Sequence, residues 1–356
     1  MVKYIIIAVL LFGVLIAVHE FGHFAAAKLC GVRVNEFSIG MGPLLFQKTK
    51  GETDYSLRLF PIGGYCAMEG EDEDSDDERS LTRQPYWRQF VIFVAGAAMN
   101  FLTGLVILLC LYAGASGFYN TELVAFADGF PYEGTDGVMP GDEIYKINGE
   151  RVYLRSDVAT ILAYKPHGDT MELVVRRGGE KLTRTLEKQT YVNESGEEYR
   201  AFGFTYGAVV EATIARKLQY SWYNAIDYVR LVRLSLQMLL TGAAGVGDLS
   251  GPVGIVSTIG EMGKETEAEA GFAAALESVL FFAALIAVNL AVMNLLPLPA
   301  LDGGKVLILL VNAVALLLVK KKLPQKLETA VNAAGFVALM ALMLFVTFHD
   351  VAKLVT

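Results

Sequence analysis

The sequence YIIIAVLLFGVLIAVHEFGHFAAAKL at Tyr4–Leu29 is apolar over the length of a membrane span, and its second half carries His19, Glu20 and His23. About 20 apolar residues cross a bilayer as a helix, so this run predicts a first transmembrane helix within residues 1–29. In a helix, His19 and His23 are four residues apart and project from one face. Two imidazoles and a carboxylate are costly in hydrocarbon, so their presence at this depth indicates a function.

The spacing H-E-x-x-H is typical of a zinc site on a helix. Two neutral imidazoles in this arrangement bind one Zn²⁺, and the intervening Glu20 reaches a water molecule as general base. The chain has three cysteines, Cys30, Cys66 and Cys110, which are scattered, so we expect histidine and carboxylate ligands and no thiolate framework.

The composition is that of an integral membrane protein with room for one folded domain outside the bilayer. Of the residues, 54% are hydrophobic, and the mean hydropathy is +0.43. The net charge of −8 argues against nucleic acid as a partner. Many of the acidic residues lie in one run, residues 69–78, which we interpret as a solvated, disordered stretch.

Outward from the first span, the pattern predicts a polytopic α-helical membrane protein with four transmembrane helices and an inserted α+β domain. After the first helix, the predicted segments are loop one at 30–88, a second transmembrane helix at 89–118, the α+β domain at 119–207, an amphipathic helical segment at 208–271, a third transmembrane helix at 272–304, a re-entrant or interfacial helix with a basic loop at 305–326, and a fourth transmembrane helix at 327–352.

Basic residues near the span ends predict the orientation. They concentrate in loop one and around Lys320–Lys322, so these segments are expected on the cytoplasmic side. The α+β domain is then extracytoplasmic. His19 falls in the inner-leaflet part of the first helix, and Asp302 follows the third span at the same depth.

A catalytic zinc ion needs a third protein ligand. The metzincin continuation is excluded, because Ala26 and Leu29 stand where it needs glycine and histidine. Asp302 is the favoured third ligand, because two prolines precede it and two glycines follow it. Glu36 and Glu52 in loop one remain alternatives. We expect structural or surface roles for the other two histidines, His167 and His349.

Together these motifs resemble the site-2 proteases, intramembrane zinc metalloproteases, and in particular the bacterial branch typified by the regulator of sigma-E protease. The resemblance is carried by HEFGH in the first span and by five further stretches: FSIGMGP at Phe37–Pro43, YSLRLFPIGGY at Tyr55–Tyr65, VMPGDEIYKINGERV at Val138–Val152, SGPVGI at Ser250–Ile255 and NLLPLPALDGG at Asn294–Gly304. The stretch Tyr55–Tyr65 resembles a membrane-associated β-hairpin loop, and the stretch Val138–Val152 resembles a single PDZ domain.

The resemblance implies zinc bound by His19, His23 and Asp302, with Glu20 as general base. It also implies that Asn294, and less strongly Asn289, positions substrate or stabilises an oxyanion. The expected substrates are pre-cleaved single-pass transmembrane proteins in a bacterial inner membrane, such as anti-sigma factors or signal-peptide remnants, with a peptide or protein terminus bound at the PDZ domain. Where the family has Gly-Pro in the second span, this chain has Gly96-Ala97.

Loop one offers a way to hold an unwound substrate. Tyr55–Phe60 alternates as a strand does, and an edge strand there pairs with an extended peptide, which makes Leu57 and Leu59 predicted substrate contacts. Two other functions remain open: a non-catalytic, zinc-dependent membrane scaffold and a metal transporter. A transporter needs ionisable groups at several depths, whereas here they cluster at one.

Overall fold

The computed structural model describes residues 1–71, 75–164, 168–193, 195–318, 320 and 324–355. These residues form two compact units, which are treated separately. The first contains Met1–Leu108 and Ala244–Thr356, and the second contains Leu109–Ala243. Most of the predicted acidic run is described, but residues 72–74 lie outside the described part of the chain.

Four helices of the described chain are long and apolar enough to cross a membrane, which confirms the polytopic α-helical membrane class. They are α1 (Val2–Leu29), α2 (Tyr86–Ala113), α5 (Pro252–Asn294) and the stretch Leu327–Lys353 of α7 (Gln325–Val355). Helix α6 (Asp302–Leu318) is a shorter apolar helix of 17 residues. Helix α5 is interrupted at Gly271, whose φ of 86° breaks the helix beside the predicted start of the third span.

Small residues allow the helices of the first unit to approach closely. Tyr4, Ala8 and Leu15 of α1 pack with Ala275 and Val279 of α5 in one buried cluster. In α2, a Cβ at Gly104 would lie 3.0 Å from the carbonyl oxygen of Ala284. Helices in a bilayer associate through such close packing, because lipid tails are as apolar as the side chains themselves.

Loop one folds into a small sheet, which we call the loop sheet. Strands β1 (Val34–Lys50) and β2 (Thr53–Met68) are each bent, so that four segments lie side by side in the order 44–50, 53–60, 34–41 and 64–68. Gly40 and Gly63 adopt positive φ values of 83° and 99° near the two bends, which glycine tolerates.

The prediction that Tyr55–Phe60 is an edge strand is wrong. Leu57 pairs with Ile39 on one side and with Phe46 on the other, so its segment is internal. Within the described residues, the edges of the loop sheet are segments 44–50 and 64–68. We call residues 64–68 the edge segment.

The second unit is an α+β fold around one hydrophobic core. Its central sheet has four strands in the order 150–151, 143–147, 170–177 and 180–187, and the helix at 155–164 contributes Val158 and Ile161 to the core. The elements are β3 (Gly117–Tyr119), β4 (Leu123–Phe126), β5 (Glu143–Ile147), β6 (Glu150–Arg151), α3 (Arg155–Tyr164), β7 (Thr170–Arg177), β8 (Glu180–Glu187), β9 (Gln189–Val192), β10 (Glu198–Ala201), β11 (Phe204–Tyr206), β12 (Val209–Glu211) and α4 (Ile214–Thr241).

Helix α4 packs on this fold through a buried ion cluster. Arg230 of α4 is 2.7 Å from Asp157 of α3 and also pairs with Asp227. Asp157 in turn accepts hydrogen bonds from the backbone N–H groups of Tyr153 and Leu154 at the start of α3. Burial and the nearby Asp157 carboxylate raise the pKa of Asp227 to about 6. Arg230 therefore joins α4 to α3, and it is not a side chain of an exposed interfacial face.

Candidate metal centre

Three side chains that the sequence singles out meet in the first unit. Helix α1 presents His19 and His23 one turn apart, and their Nε2 atoms are 3.3 Å from each other. The Oδ2 atom of Asp302, the first residue of α6, lies 3.2 Å from each of those nitrogens. The three side chains are only 9–12% exposed. Among the described residues, this is the one group of three or more such side chains close enough to share a metal ion.

Helix α2 contacts the Nδ1 atoms of both imidazoles and thereby orients the rings. The Nδ1–H of His23 donates to the carbonyl oxygen of Ile92 at 2.8 Å, which leaves its Nε2 lone pair for a metal. Asn100 lies 3.4 Å from Nδ1 of His19, and its Oδ1 atom is buried without a partner in the described structure. An amide turned by 180° lets that oxygen accept from the Nδ1–H of His19 and satisfies both groups. Each histidine then offers Nε2 to the same point.

The chain around Asp302 is bent sharply enough to need its two glycines. Ala300 has a positive φ of 71° just before the start of α6. A Cβ at Gly303 would overlap the backbone of Leu295 and Leu296, and a Cβ at Gly304 would overlap that of Leu298. The Gly-Gly pair therefore permits the close turn that brings the Asp302 carboxylate back to α1.

The arrangement fits a zinc ion. Two ligands that each lie about 2.0–2.1 Å from a tetrahedral zinc ion are about 3.3–3.4 Å apart, close to the three separations of 3.2–3.3 Å found here. Oδ2 of Asp302 is also a buried oxygen without a hydrogen-bond donor among the described residues. Three acceptor atoms converging without a donor are what a cation site requires.

Glu20 and the metal-site residues open on one cavity of about 500 Å³. The sequence did not predict the rest of the cavity wall. The edge segment contributes Tyr65, Cys66, Ala67 and Met68, and the lining is completed by Glu71, Phe93 and Lys305. The backbone of the edge segment therefore runs along the same space as the Glu20 carboxyl group.

The other predicted site residues lie elsewhere. Asn289 and Asn294 are half-buried near the end of α5 and are not among the described residues that line the cavity. Leu57 and Leu59 are 47% and 49% exposed on the loop sheet and are likewise outside that lining. Their roles as substrate contacts stay predictions.

The alternative third ligands are engaged in ion pairs. Glu36 is 3.0 Å from Arg58, and Glu52 pairs with Lys28 and Arg79. The ring of His349 stacks on Phe345, and His167 lies outside the described residues. Geometry therefore leaves Asp302 as the carboxylate beside the histidine pair.

Sequence reasoning missed the part played by Gly96 of α2. A Cβ at Gly96 would overlap Nε2 of His23 and lie 2.7 Å from Cε1 of His19. Its spacing of four residues from both Ile92 and Asn100 was the available signal, because it places all three on one face of α2.

Replacing Gly96 by alanine is expected to lower zinc occupancy by at least about tenfold, because the new methyl group pushes the imidazoles apart. Metal analysis of the purified protein measures this. Gly104→Ala is the matched control, since it crowds α2 against α5 away from the histidines. Full zinc occupancy in the Gly96→Ala protein would show that α2 does not pack on the metal site in this way.

The chain is similar to proteins whose names describe them as zinc metalloproteases. Residues 7–342 match the model of Peptidase family M50. A protein from Clostridium perfringens whose name contains the words zinc metalloprotease is 38% identical over 349 residues, 98% of each chain. Zinc metalloprotease RasP of Shouchella clausii is 30% identical over 426 residues, 97% of each chain. Regulator of sigma-W protease RasP of Bacillus subtilis is 26% identical over 434 residues, 99% of each chain.

The membrane helices and the family match define the class of the protein: it is a multi-pass intramembrane zinc metalloprotease of the site-2 type. The chain belongs to Peptidase family M50. Zinc is its cofactor, and the scaffold and transporter alternatives are not favoured.

Proposed function

We propose that His19, His23 and Asp302 hold one catalytic zinc ion and that Glu20 is the general base of peptide-bond hydrolysis. The observation that carries this proposal is the convergence of two Nε2 atoms and Oδ2 of Asp302 at mutual distances of 3.2–3.3 Å. The hydrogen bond from His23 to Ile92 supports it, because such a bond fixes the tautomer that binds metal.

The chemistry divides between the metal and the chain. When bound, zinc polarises the scissile carbonyl and makes water a stronger nucleophile at neutral pH. Glu20 accepts the proton of the attacking water and delivers it to the departing amine, so the peptide bond is replaced by a carboxylate and a free amine. Asn294 remains our proposal for a donor to the developing oxyanion, with Asn289 as a weaker second.

The substrate is proposed to be held by strand addition at the edge segment. A transmembrane helix hides its backbone in hydrogen bonds, so the scissile stretch has to unwind before attack. Residues 64–68 pair with the rest of the loop sheet on one side only within the described chain, and residues 65–68 line the cavity beside Glu20. An extended peptide added to that edge would lie along the catalytic groups.

Replacing Cys66 by proline is therefore expected to raise KM for a transmembrane substrate, or to abolish its turnover, while zinc stays bound, because proline lacks the N–H that the free side of the edge segment offers to a ladder. Steady-state cleavage in detergent, together with metal analysis, measures both. Gln47→Pro, in the opposite edge of the loop sheet, is the matched control and should cleave normally. The reverse pattern, with Gln47→Pro impaired and Cys66→Pro normal, would place the substrate on the other edge.

The α+β unit is proposed to be a PDZ domain on the extracytoplasmic side that binds a peptide terminus or excludes bulky ectodomains. The stretch Val138–Val152 and the sheet β6-β5-β7-β8 with helix α3 support this assignment. The metal site would then lie near the cytoplasmic face of a bacterial inner membrane. The name of the Bacillus subtilis relative refers to sigma-W, so we propose anti-sigma factors or signal-peptide remnants as substrates.

The proposal is tested with purified protein in proteoliposomes and a single-pass substrate that has already lost its ectodomain. Cleavage inside the span by the wild-type protein, absent after chelation and restored by zinc, supports it. A zinc-loaded protein that cleaves no such substrate, with or without an ectodomain, would favour the scaffold.

A further inference from the structure

One ion pair connects loop one to the helix that carries Asp302. Lys305 lies one turn after Asp302 in α6, and its Nζ atom donates to Oε1 of Glu71 at 2.6 Å. Both side chains line the metal-site cavity. They are 35% and 17% exposed, so the pair is only partly screened by solvent.

Glu71 is also bonded to the end of the edge segment. Its backbone N–H donates to the carbonyl oxygen of Met68 at 3.3 Å, and its Oε2 accepts from the N–H of Met68 at 3.4 Å. A short chain of contacts therefore runs from Met68 through Glu71 and Lys305 to the first turn of α6. It links the edge that would receive substrate to the helix that would supply a metal ligand.

The same pair divides two cavities. A smaller cavity of about 140 Å³ lies beside the metal-site cavity, and Glu71, Phe93 and Lys305 line both. Lys305 Nζ lies 5.9 Å from the centre of the Phe93 ring. The polar members of the smaller cavity include Asn312, which donates to Glu328 at 2.7 Å. Loss of the pair would open the wall of the active-site cavity on this side.

We propose that Glu71 and Lys305 form a clasp that fixes the edge segment relative to Asp302, which makes both of them positioning residues for the substrate. The proposal rests on the strand addition described under the proposed function. A strand added to an edge takes its register and its position from that edge. Displacement of the edge segment would therefore move the scissile bond away from Glu20. Hydrolysis is sensitive to such displacement, since a shift of about 1 Å costs about 100-fold in rate.

The test compares Lys305→Met, Glu71→Gln and the exchanged pair Glu71→Lys/Lys305→Glu. Each single variant is expected to lose about tenfold in kcat/KM with one zinc per chain retained, and the exchanged pair should recover to within about threefold. Lys305→Arg keeps the charge and should remain near wild type. A photo-crosslinking amino acid in place of Tyr65 reports whether the substrate lies on the edge segment, and its yield should fall in the single variants.

Lys28→Met is the matched control, because Lys28 also pairs with a loop-one glutamate, Glu52, but does not line the cavity. Its kcat/KM should equal that of the wild type. Single variants with normal cleavage and crosslinking would overturn the clasp alone. A zinc loss in the single variants, or an exchanged pair as poor as either single variant, would also overturn it. Wild-type protein that cleaves without crosslinking at position 65 would overturn strand addition itself.

Discussion

The Glu20→Gln protein is expected to retain its zinc and to lose peptide-bond hydrolysis by about 10²–10⁴-fold in kcat. The reason is that the amide occupies the same space as the carboxylate in the cavity but accepts no proton from water. His19, His23 and Asp302 are untouched, so the metal site keeps all three of its acceptor atoms. Cleavage of a transmembrane substrate and metal analysis on the same preparation measure the two quantities.

Phe21→Leu is the matched control for Glu20→Gln. Phe21 is the neighbouring residue in α1 and is 47% exposed, and it is not among the cavity-lining residues. Its replacement should leave both zinc and cleavage unchanged. Wild-type turnover by the Glu20→Gln protein would remove Glu20 from the mechanism, whereas loss of zinc from it would mean that Glu20 is itself needed for metal binding.

Asp302→Ala is expected to lower zinc affinity by more than about 100-fold and to abolish cleavage with it. The buried Oδ2 atom lies 3.2 Å from each histidine and has no hydrogen-bond donor among the described residues, so its removal takes away one of three convergent acceptors. Isothermal titration with zinc after chelation measures the affinity directly.

Glu36→Gln and Glu52→Gln serve as controls, because each glutamate is an alternative third ligand that the structure places in an ion pair. Both variants should bind zinc as the wild type does. One zinc per chain at wild-type affinity in the Asp302→Ala protein would make Asp302 a turn residue and move the third ligand elsewhere.

The sequence predicts the metal-site residues better than the segments that pack around them. The His19–His23 pair follows from helical periodicity alone, because residues four apart share a face. Asp302 could be named because prolines and glycines mark a turn, and the overlap that a Cβ would cause at Gly303 and Gly304 gives the physical reason for that signal. Both inferences depend on local backbone geometry, which is encoded within a few neighbouring residues.

The loop sheet could not be predicted in the same way. Alternation identifies Tyr55–Phe60 as a strand but does not say which strands flank it. Both strands bend and fold back, so Leu57 is internal and residues 64–68 form the edge beside the cavity. Which segment becomes an edge depends on the register between segments that are distant in sequence, and alternation carries no information about it.

The sequence also did not predict the contacts between helices, because these too depend on segments that are distant in sequence. Asn100 and Gly96 of α2 lie against the histidine pair, and the sequence did not place either of them there. A single helix pattern shows which residues share its face but not which partner that face meets. In α4, which lies in the predicted amphipathic segment, Arg230 is buried with Asp157 and Asp227.

The most direct measurement is mass spectrometry of the products that the purified, zinc-loaded protein forms from a pre-trimmed single-pass substrate in proteoliposomes. Our account predicts two fragments whose new termini lie within or beside the transmembrane segment of the substrate. They should form with the wild-type protein and be absent with Glu20→Gln protein that carries one zinc per chain. The same fragments at the same rate from Glu20→Gln, or an intact substrate with the zinc-loaded wild type, would contradict it.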